Sequence, residues 1–354
     1  MDNSNLLTIV LTLKDRSPFT YRWMTWMNEN KCPYKILIAD GGKDKEVEKY
    51  LKNYENYPYL NYEYIRYPYD TNLELFYEKF VDIHSRVKTK YVIMGDNDDF
   101  FNIGIFSELI SFMEHNPNYS VASCNNTLSF RILDKNQDIT IDQLAWNKKR
   151  KIEYSQYIQN SSIEDNDALK RLEIIIKNYS GIFWYGVVKT KDMQLITNIL
   201  KDDNYRITNT NEYLLIFSLS LLGKMHLLNS SSHLARQQGT SQGAAIKYEG
   251  YGDTVHLMCT KDWQNDFEKL SLSLSKLFDY DNNKFRVLFN KFYSSRLKNQ
   301  IVNEYKFHNS FKRFLPLNLK QNLKLFLGKS LFDKRNKDFE ERISKFLNNS
   351  ENKN

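Results

Sequence analysis

The sequence predicts an α/β fold in which a mostly parallel sheet has helices on both faces and is followed by a helical C-terminal region. Within residues 6–124, runs of β-branched and aliphatic residues alternate with segments of helical periodicity, an order that is typical of parallel sheets. Two of the apolar runs end in short acidic segments. Since ligands of such sheets bind beyond the carboxyl ends of the strands, we expect a ligand site at that edge.

The first strand covers residues 6–13, which are almost continuously apolar, as in strands that are buried on both faces of a sheet. The polar residues 14–18 end this strand, and residues 19–29 carry aromatic and methionine side chains at helical spacing. A second strand over residues 34–39 follows and ends in Asp40-Gly41-Gly42. The chain thus starts with the strand–helix–strand order of a parallel sheet.

Further strands and helices extend this sheet. Residues 44–54 predict a helix, residues 62–67 a strand of alternating character and residues 72–87 a long helix. Residues 91–94 predict the fourth strand, which runs directly into Gly95-Asp96-Asn97-Asp98-Asp99. Both acidic segments therefore follow strands of one sheet, and we expect them at the same edge.

The next part of the chain is less regular. Residues 103–115 predict a helix and residues 120–124 a strand. Residues 125–180 then mix short strand-like pieces with a basic run at residues 148–151. We interpret residues 125–180 as an insertion beside the sheet.

The sheet region closes with three more predicted elements. Residues 182–188 predict a buried strand, residues 211–222 a hydrophobic helix and residues 225–228 a last short strand. Residues 230–252 are rich in Ser, Gln and Gly, which favours a flexible loop. We therefore assign residues 1–255 to one sheet domain.

The C-terminal region, residues 256–354, has a helical pattern and a basic composition. Residues 291–335 include eleven basic and two acidic residues, interleaved with Phe and Leu. This pattern suits a helix that lies on anionic lipid, and equally a helical subdomain whose Lys and Arg side chains face water. No nucleic-acid-binding module accompanies the charge, so we expect no nucleic acid partner.

Composition excludes several classes of protein. The chain has 354 residues, of which 41% are hydrophobic and 26% charged, as in globular proteins. Its apolar runs stop well short of the roughly 20 residues that a membrane-spanning helix needs. The N-terminal residues show no export signal, and three widely separated cysteines offer neither a disulfide framework nor a zinc site. We expect a cytoplasmic protein.

The segment Asp96-Asn97-Asp98-Asp99 places three carboxylates within four residues at the end of a predicted buried strand. Hard divalent cations prefer such oxygen ligands, and Mg²⁺ commonly binds through one or two carboxylates together with substrate phosphates. The residue types therefore suit a metal–diphosphate site. A solvated turn is the alternative. A calcium loop fits less well, because two phenylalanines follow in place of further oxygen ligands.

Three segments, residues 6–16, 36–44 and 90–99, together resemble the N-terminal half of family-2-type glycosyltransferases of the GT-A fold. The resemblance continues more weakly to about residue 240. It implies a GT-A-like nucleotide-binding sheet. The chain departs from the family pattern around residue 40, where the family has two adjacent acids and a serine and this sequence keeps one acid.

The resemblance implies roles for the matching residues. Arg16 and Asp40 would contact the nucleotide sugar, with Asp40 at the base. Asp98 would be the principal metal ligand, supported by Asp96 or Asp99. Asp96 would also approach the ribose of the donor.

In this family an acidic pair opens a helix after the sheet, and one acid removes the acceptor proton in inverting enzymes. Glu212 matches that acid, and Asn211 stands in place of the other. The resemblance therefore implies that Glu212 is the catalytic base. Glu212 also lies three residues after Asn209, which is the spacing of a helix-capping pair, so both interpretations stay open.

Many relatives place a His or an Arg after the last strand, where it reaches the metal or the diphosphate. By this resemblance, His233 would be a metal ligand and Arg236 would bind the diphosphate. A structural or solvated position is the alternative for each. Trp184 and Tyr185 precede the segment in which family members contact acceptor sugars, and a buried core position is the alternative for these two residues.

Together these features predict a glycosyltransferase that moves a sugar from a nucleotide-diphosphate donor to a hydroxyl of a bacterial surface glycan, such as capsule or lipopolysaccharide. A divalent metal, Mn²⁺ or Mg²⁺, would assist, and Glu212 as base makes the enzyme inverting. Residues 291–335 would attach it peripherally to the inner face of the cytoplasmic membrane. The alternatives are a non-catalytic glycan-binding or scaffold domain, and a sugar nucleotidyltransferase, whose Gly-rich loop is missing at residues 14–18.

Overall fold

The computed structural model describes residues 3–133, 140–146, 150–158, 161–179, 181–240, 260–309 and 334–349. A seven-stranded sheet lies at its centre. In spatial order its strands are β10 (Lys224–Leu228), β6 (Tyr119–Cys124), β9 (Val187–Lys189), β4 (Tyr91–Gly95), β1 (Leu7–Leu13), β2 (Lys35–Asp40) and β3 (Tyr62–Arg66). Neighbouring strands are parallel, except that β9 is antiparallel to both β4 and β6.

A smaller four-stranded sheet lies beside the first. Its strands, in order, are β5 (Phe100–Phe101), β11 (Leu234–Gln237), β7 (Asn126–Leu133) and β8 (Lys151–Ile158). Strand β5 follows β4 after only the acidic turn, and it pairs with β11. The small sheet therefore brings residues 234–237 next to the acidic turn.

Ten α-helices are present in the described residues. They are α1 (Ser17–Glu29), α2 (Lys45–Lys52), α3 (Leu73–Ser85), α4 (Phe106–His115), α5 (Ala168–Lys177), α6 (Thr190–Asp203), α7 (Thr208–Leu222), α8 (Lys261–Phe278), α9 (Asn282–Asn309) and α10 (Lys337–Asn349). Alternate residues of the central strands point into two separate cores, as Ile9 and Val10 do, because successive side chains of a strand face opposite sides. Helices cover both faces, which confirms the predicted α/β class with its helical C-terminal region.

The structure corrects the prediction of a strand over residues 182–188. A 3₁₀ turn, Gly181–Phe183, comes first, and only the three residues of β9 form a strand. A short apolar run does not by itself distinguish a strand from a buried turn. Close packing also favours the turn, since a Cβ at Gly186 would overlap the side chain of Val121.

Strand β11 lies within residues 230–252, for which the composition predicts a flexible loop. The strand forms because it inserts between β5 and β7, so that its hydrogen-bond partners come from distant parts of the chain. Residues 241–252 of the predicted loop lie outside the described residues.

Helix α7 begins at Thr208, and its N-cap residue, Ile207, makes no side-chain capping hydrogen bond. Asp266 of α8 holds the backbone that leads into the helix. The carboxylate of Asp266 accepts hydrogen bonds from the backbone N–H groups of Arg206 (3.1 and 3.0 Å) and Ile207 (2.8 Å). The capping interpretation of Glu212 with Asn209 is wrong, because the N-cap of α7 is Ile207 and Asn209 lies inside the helix.

We expect Asp266→Ala to destabilise the fold by about 2–3 kcal/mol, because it leaves buried backbone N–H groups without an acceptor. Asp266 is 1% exposed. Asp262→Ala is the matched control: it lies one turn earlier on α8 and forms an exposed ion pair with Arg206, so it should change stability by less than about 0.5 kcal/mol. Urea unfolding of both variants measures the difference. Equal midpoints for the two variants would contradict this stabilising role of Asp266.

The C-terminal helices pack at two different places. Helices α8 and α9 lie against α5, α6 and α7, with Phe285, Phe289 and Phe292 buried. Helix α10 packs on the opposite face, where Phe346 contacts Trp26 with ring centroids 5.2 Å apart.

This packing bears on the segment 291–335, for which a lipid-facing helix was one interpretation. At the start of this segment the aromatic side chains of Phe292 and Tyr293 are buried in the protein, so they cannot contact lipid. Residues 310–333 lie outside the described residues. In the described part of the chain, every helix lacks the combination of length and apolar character that crossing a bilayer requires.

Candidate active site

The acidic turn Asp96–Asp99 follows β4 at the carboxyl edge of the central sheet. The structure brings all three predicted carboxylates together. Asp96, Asp98 and Asp99 each contribute one oxygen to a group whose members lie within 4.8 Å of one another. Asp98 and Asp99 are 6% and 4% exposed, so the cluster is a buried site and the alternative of a solvated turn is wrong.

Asp96 is held by Tyr185, whose hydroxyl donates a hydrogen bond to Oδ2. Burial raises the pKa of Asp96, and the nearby charge of Asp98 raises it further. Both effects disfavour the ionised form. Burial removes the carboxylate from water, and the like charge of Asp98 repels it. A bound cation would remove that penalty.

Asp98 has two side-chain partners. Thr240 donates its hydroxyl to Oδ2 at 2.7 Å, and Nη2 of Arg16 lies 3.5 Å from the same oxygen. Arg16 adopts the left-handed backbone conformation, with φ of 61°, directly before α1. The structure thus places Arg16, predicted from the first strand, at the acidic cluster.

Asp99 shows most clearly that the cluster suits a cation. Its Oδ1 accepts a hydrogen bond from the backbone N–H of Gln237 at 3.0 Å. Its Oδ2 is buried and has no hydrogen-bond partner in the described part of the chain. Burial, followed by the charge of Asp98, raises the pKa of Asp99 well above its ordinary value. A buried oxygen that accepts no hydrogen bond, within three converging carboxylates, fits a hard divalent ion such as Mg²⁺ or Mn²⁺.

Arg236 of β11 lies beside this cluster, with Nε 3.6 Å from Oδ2 of Asp99. Its guanidinium stacks over the ring of Tyr185 at 5.0 Å. Its pKa is raised by electrostatic interaction with Tyr185 and then with three carboxylates, those of Asp99, Asp96 and Glu212. The Nε has no hydrogen-bond partner among the described residues. Arg236 can therefore offer a donor to an anionic ligand.

Glu212 is half-buried on the second turn of α7. The hydroxyl of Tyr179 donates a hydrogen bond to its Oε1 at 2.5 Å. Its charge contributes to the raised pKa of Arg236, the residue that lies beside the acidic cluster. A half-buried carboxylate that is not used as a helix cap can act as a general base.

Asp40 lies at the end of β2 and is 3% exposed. Its Oδ1 accepts the N–H of Gly42 at 2.7 Å, and its Oδ2 accepts hydrogen bonds from Tyr64 (2.6 Å) and Arg66 (2.8 Å). These contacts fix the loop between β2 and α2. The contact of Asp40 with a nucleotide base stays a prediction, and Arg66 is a second polar group at the same place.

The structure places His233 differently from the predicted metal ligand. His233 is 2% exposed, and its Nε2 lies 2.8 Å from the carbonyl oxygen of Tyr185. Burial lowers its pKa to about 4. It is not part of the oxygen cluster, because β11 begins directly after it and its ring turns into the core. His233 therefore supports the backbone of Tyr185.

The two predicted acceptor contacts also have defined places. Trp184 is half-buried and packs against both hydrophobic cores. Tyr185 is 5% exposed and its hydroxyl is already bound to Asp96. Contact of either residue with an acceptor sugar stays a prediction.

No protein family model and no curated protein matches the sequence. Solved structures match at low similarity. The crystal structure of S. aureus TarS 1-349 has 9% sequence identity and a TM-score of 0.47, over 88% of this chain and 76% of that chain. The same TarS fragment in complex with UDP has 10% identity and a TM-score of 0.45, over 88% and 76% of the two chains. Structural similarity this low is not evidence for a function, so a function can be inferred only from the residues of the site.

Arg22 is a site residue that sequence reasoning missed. It is fully buried in α1, and it donates hydrogen bonds to the carbonyl of Asp98 (2.5 Å), Oε1 of Gln237 (2.6 Å) and the carbonyl of Ala145 (2.9 Å). Burial lowers its pKa to about 9. Its signal in the sequence is weak: a single cation within an otherwise aromatic and methionine-rich helix. Arg22 ties the acidic turn to β11.

A buried ion pair between Asp70 and Lys79 was also missed. Lys79 binds the carboxylate of Asp70 and donates to the carbonyl of Leu13 at 2.9 Å. The backbone N–H of Asp70 in turn donates to the carbonyl of Gly41 at 2.9 Å. The ion pair therefore connects the carboxyl ends of β1 and β2, which lead to Arg16 and Asp40.

Proposed function

We propose that this chain is a metal-dependent, inverting glycosyltransferase, which moves a sugar from a nucleoside-diphosphate donor to a hydroxyl of a bacterial surface glycan such as capsule or lipopolysaccharide. One observation carries the proposal: three carboxylates, two of them buried, converge at the carboxyl end of β4, and Oδ2 of Asp99 accepts no hydrogen bond from the described residues. Such a site suits Mg²⁺ or Mn²⁺, which bind diphosphates readily.

Asp98, with Asp96 and Asp99, would hold the divalent ion, whose positive charge would offset the charge of the leaving diphosphate. Arg16 lies 3.5 Å from Asp98 and Arg236 lies 3.6 Å from Asp99. Both guanidinium groups can therefore donate to phosphate oxygens.

Glu212 would accept the proton of the acceptor hydroxyl. The oxygen of that hydroxyl forms a bond to the anomeric carbon of the sugar, and the bond from this carbon to the diphosphate oxygen breaks with its electron pair. A direct displacement of this kind inverts the anomeric configuration. The buried position of the acidic cluster favours such chemistry, because charges interact more strongly where water is excluded.

Thermal unfolding of the wild-type chain with a panel of nucleoside diphosphates and nucleotide sugars, each with and without Mn²⁺, tests the proposal. Stabilisation that requires both the nucleotide and the metal is the expected result. Stabilisation by sugars or glycans alone would favour the non-catalytic glycan-binding alternative. Turnover of a nucleoside triphosphate with a sugar phosphate would favour the nucleotidyltransferase alternative.

We also propose that the basic segment 291–335 attaches the enzyme to anionic membranes. Substituting four basic residues of this segment by Gln should weaken binding to anionic liposomes at least about 10-fold, since each Lys or Arg near the surface contributes about 1 kcal/mol. The substituted residues are Lys312, Arg313, Lys320 and Lys324. The control removes four exposed lysines elsewhere, Lys45, Lys49, Lys88 and Lys191. Equal losses in both variants, measured by sedimentation at one salt concentration, would show that only net charge matters.

A further inference from the structure

The carboxylate of Glu212 has two close neighbours from one segment of the chain. The hydroxyl of Tyr179 donates to Oε1 at 2.5 Å. The backbone of Gly181 comes so close that a Cβ there would lie 2.8 Å from the same oxygen. Tyr179 and Gly181 belong to the short connection between α5 and β9, whereas Glu212 belongs to α7. The contact therefore depends on how these parts pack together.

Tyr179 is itself held by three aromatic side chains. Its ring centroid lies 5.3 Å from that of Tyr213, 5.4 Å from that of Phe292 and 6.3 Å from that of Phe217. Phe292 belongs to α9 of the C-terminal region, and all three partners are buried. Edge-on and tilted contacts of this kind restrict a ring more than apolar packing alone. The orientation of the Tyr179 hydroxyl is thus set partly by the C-terminal region.

We propose that Tyr179 is a positioning residue for the catalytic base: its hydroxyl fixes Oε1 of Glu212, so that Oε2 faces the acceptor hydroxyl. The inference rests on the proposed function. A hydrogen bond to one carboxylate oxygen fixes the orientation of the group, and a general base must lie within hydrogen-bond reach of the proton that it accepts. Helix α9 takes part through Phe292, which gives the C-terminal region a role in catalysis.

Tyr179→Phe tests the proposal, because it keeps the ring and its aromatic contacts but removes the donor. The assay measures the release of nucleoside diphosphate from the nucleotide sugar that stabilises the wild-type chain most, with Mn²⁺ present and water as acceptor. We expect kcat to fall about 10-fold, since small displacements of a catalytic group are costly. The KM for the nucleotide sugar and the affinity for nucleoside diphosphate should not change, because Tyr179 contacts the base and not the donor. A loss in kcat alone is what a positioning role predicts.

Tyr119→Phe is the matched control. Tyr119 also donates to a glutamate, Oε1 of Glu164 at 3.0 Å, but it lies at the start of β6, at the edge of the sheet opposite the acidic turn. Its kcat and KM should equal those of the wild type. Gly181→Ala is a second test, because a methyl group there displaces Oε1 without removing the phenol, and it should also lower kcat.

Wild-type kcat in both Tyr179→Phe and Gly181→Ala would overturn the inference, even if the variants melt at lower temperature. Failure of the wild-type chain to bind nucleoside diphosphates with Mn²⁺ is a different result, and it would overturn the proposed function. A reduced kcat accompanied by a raised KM and weaker nucleoside diphosphate binding in Tyr179→Phe would also count against Tyr179, because it would indicate a purely structural role.

Discussion

Glu212→Gln is expected to lower the turnover of glycosyl transfer by about 10²-fold or more, because an amide cannot accept the proton of the acceptor hydroxyl. The melting temperature should change little. Gln keeps the length of the side chain and can still accept the hydrogen bond of Tyr179 through its carbonyl oxygen. Affinity for the donor nucleotide should also survive, since the proposed base acts on the acceptor and does not bind the diphosphate.

Steady-state kinetics of transfer, together with the melting temperature of each variant, measures these effects. Glu173→Gln on the exposed face of α5 is the matched control, and it should leave both unchanged. Turnover close to that of the wild type in Glu212→Gln, on a genuine acceptor, would show that Glu212 is not the base. The enzyme would then have to use another base or retain the anomeric configuration.

Asp98→Asn is expected to abolish the metal-dependent binding of nucleoside diphosphates, with a loss of affinity of about 10²-fold or more, since even indirect contacts to metal ligands typically contribute 10–100-fold. Asparagine keeps the size of the side chain and an oxygen for the hydroxyl of Thr240, 2.7 Å away. It removes the charge that a cation needs. Asn suits this position better than Ala, because Asp98 is only 6% exposed. Alanine would leave a cavity that destabilises the fold, and loss of binding could not then be distinguished from loss of folding.

Thermal shift with nucleoside diphosphate and Mn²⁺, and calorimetric titration under the same conditions, measure this loss. Asp192→Asn serves as the control, because Asp192 is 8% exposed on α6 and lies outside the acidic cluster. The control should bind as the wild type does. Binding that persists in Asp98→Asn, or that needs no metal, would remove the central argument for the proposed function.

Local patterns in the sequence were sufficient to predict the class of fold and the place of the site. The alternation of apolar runs and helical segments is a property of short windows, and it predicted β1 to β4 to within about two residues at each end. The parallel order then required the ends of β2 and β4 to share an edge, so Asp40 and the acidic turn could be placed together from the order of the strands alone. The convergence of Asp96, Asp98 and Asp99 followed from their position in one turn.

Only the tertiary structure decided which side chains complete that site. Arg22 and Gln237 are separated by 215 positions, and Ile207 and Asp266 by 59. Contacts of this kind depend on how whole elements pack, and a local periodicity carries no information about them. The same reason explains why composition predicted a loop where β11 forms, and why Asn209 seemed a plausible cap for α7. A buried polar group must find a partner wherever the fold supplies one, and here the partners came from distant parts of the chain.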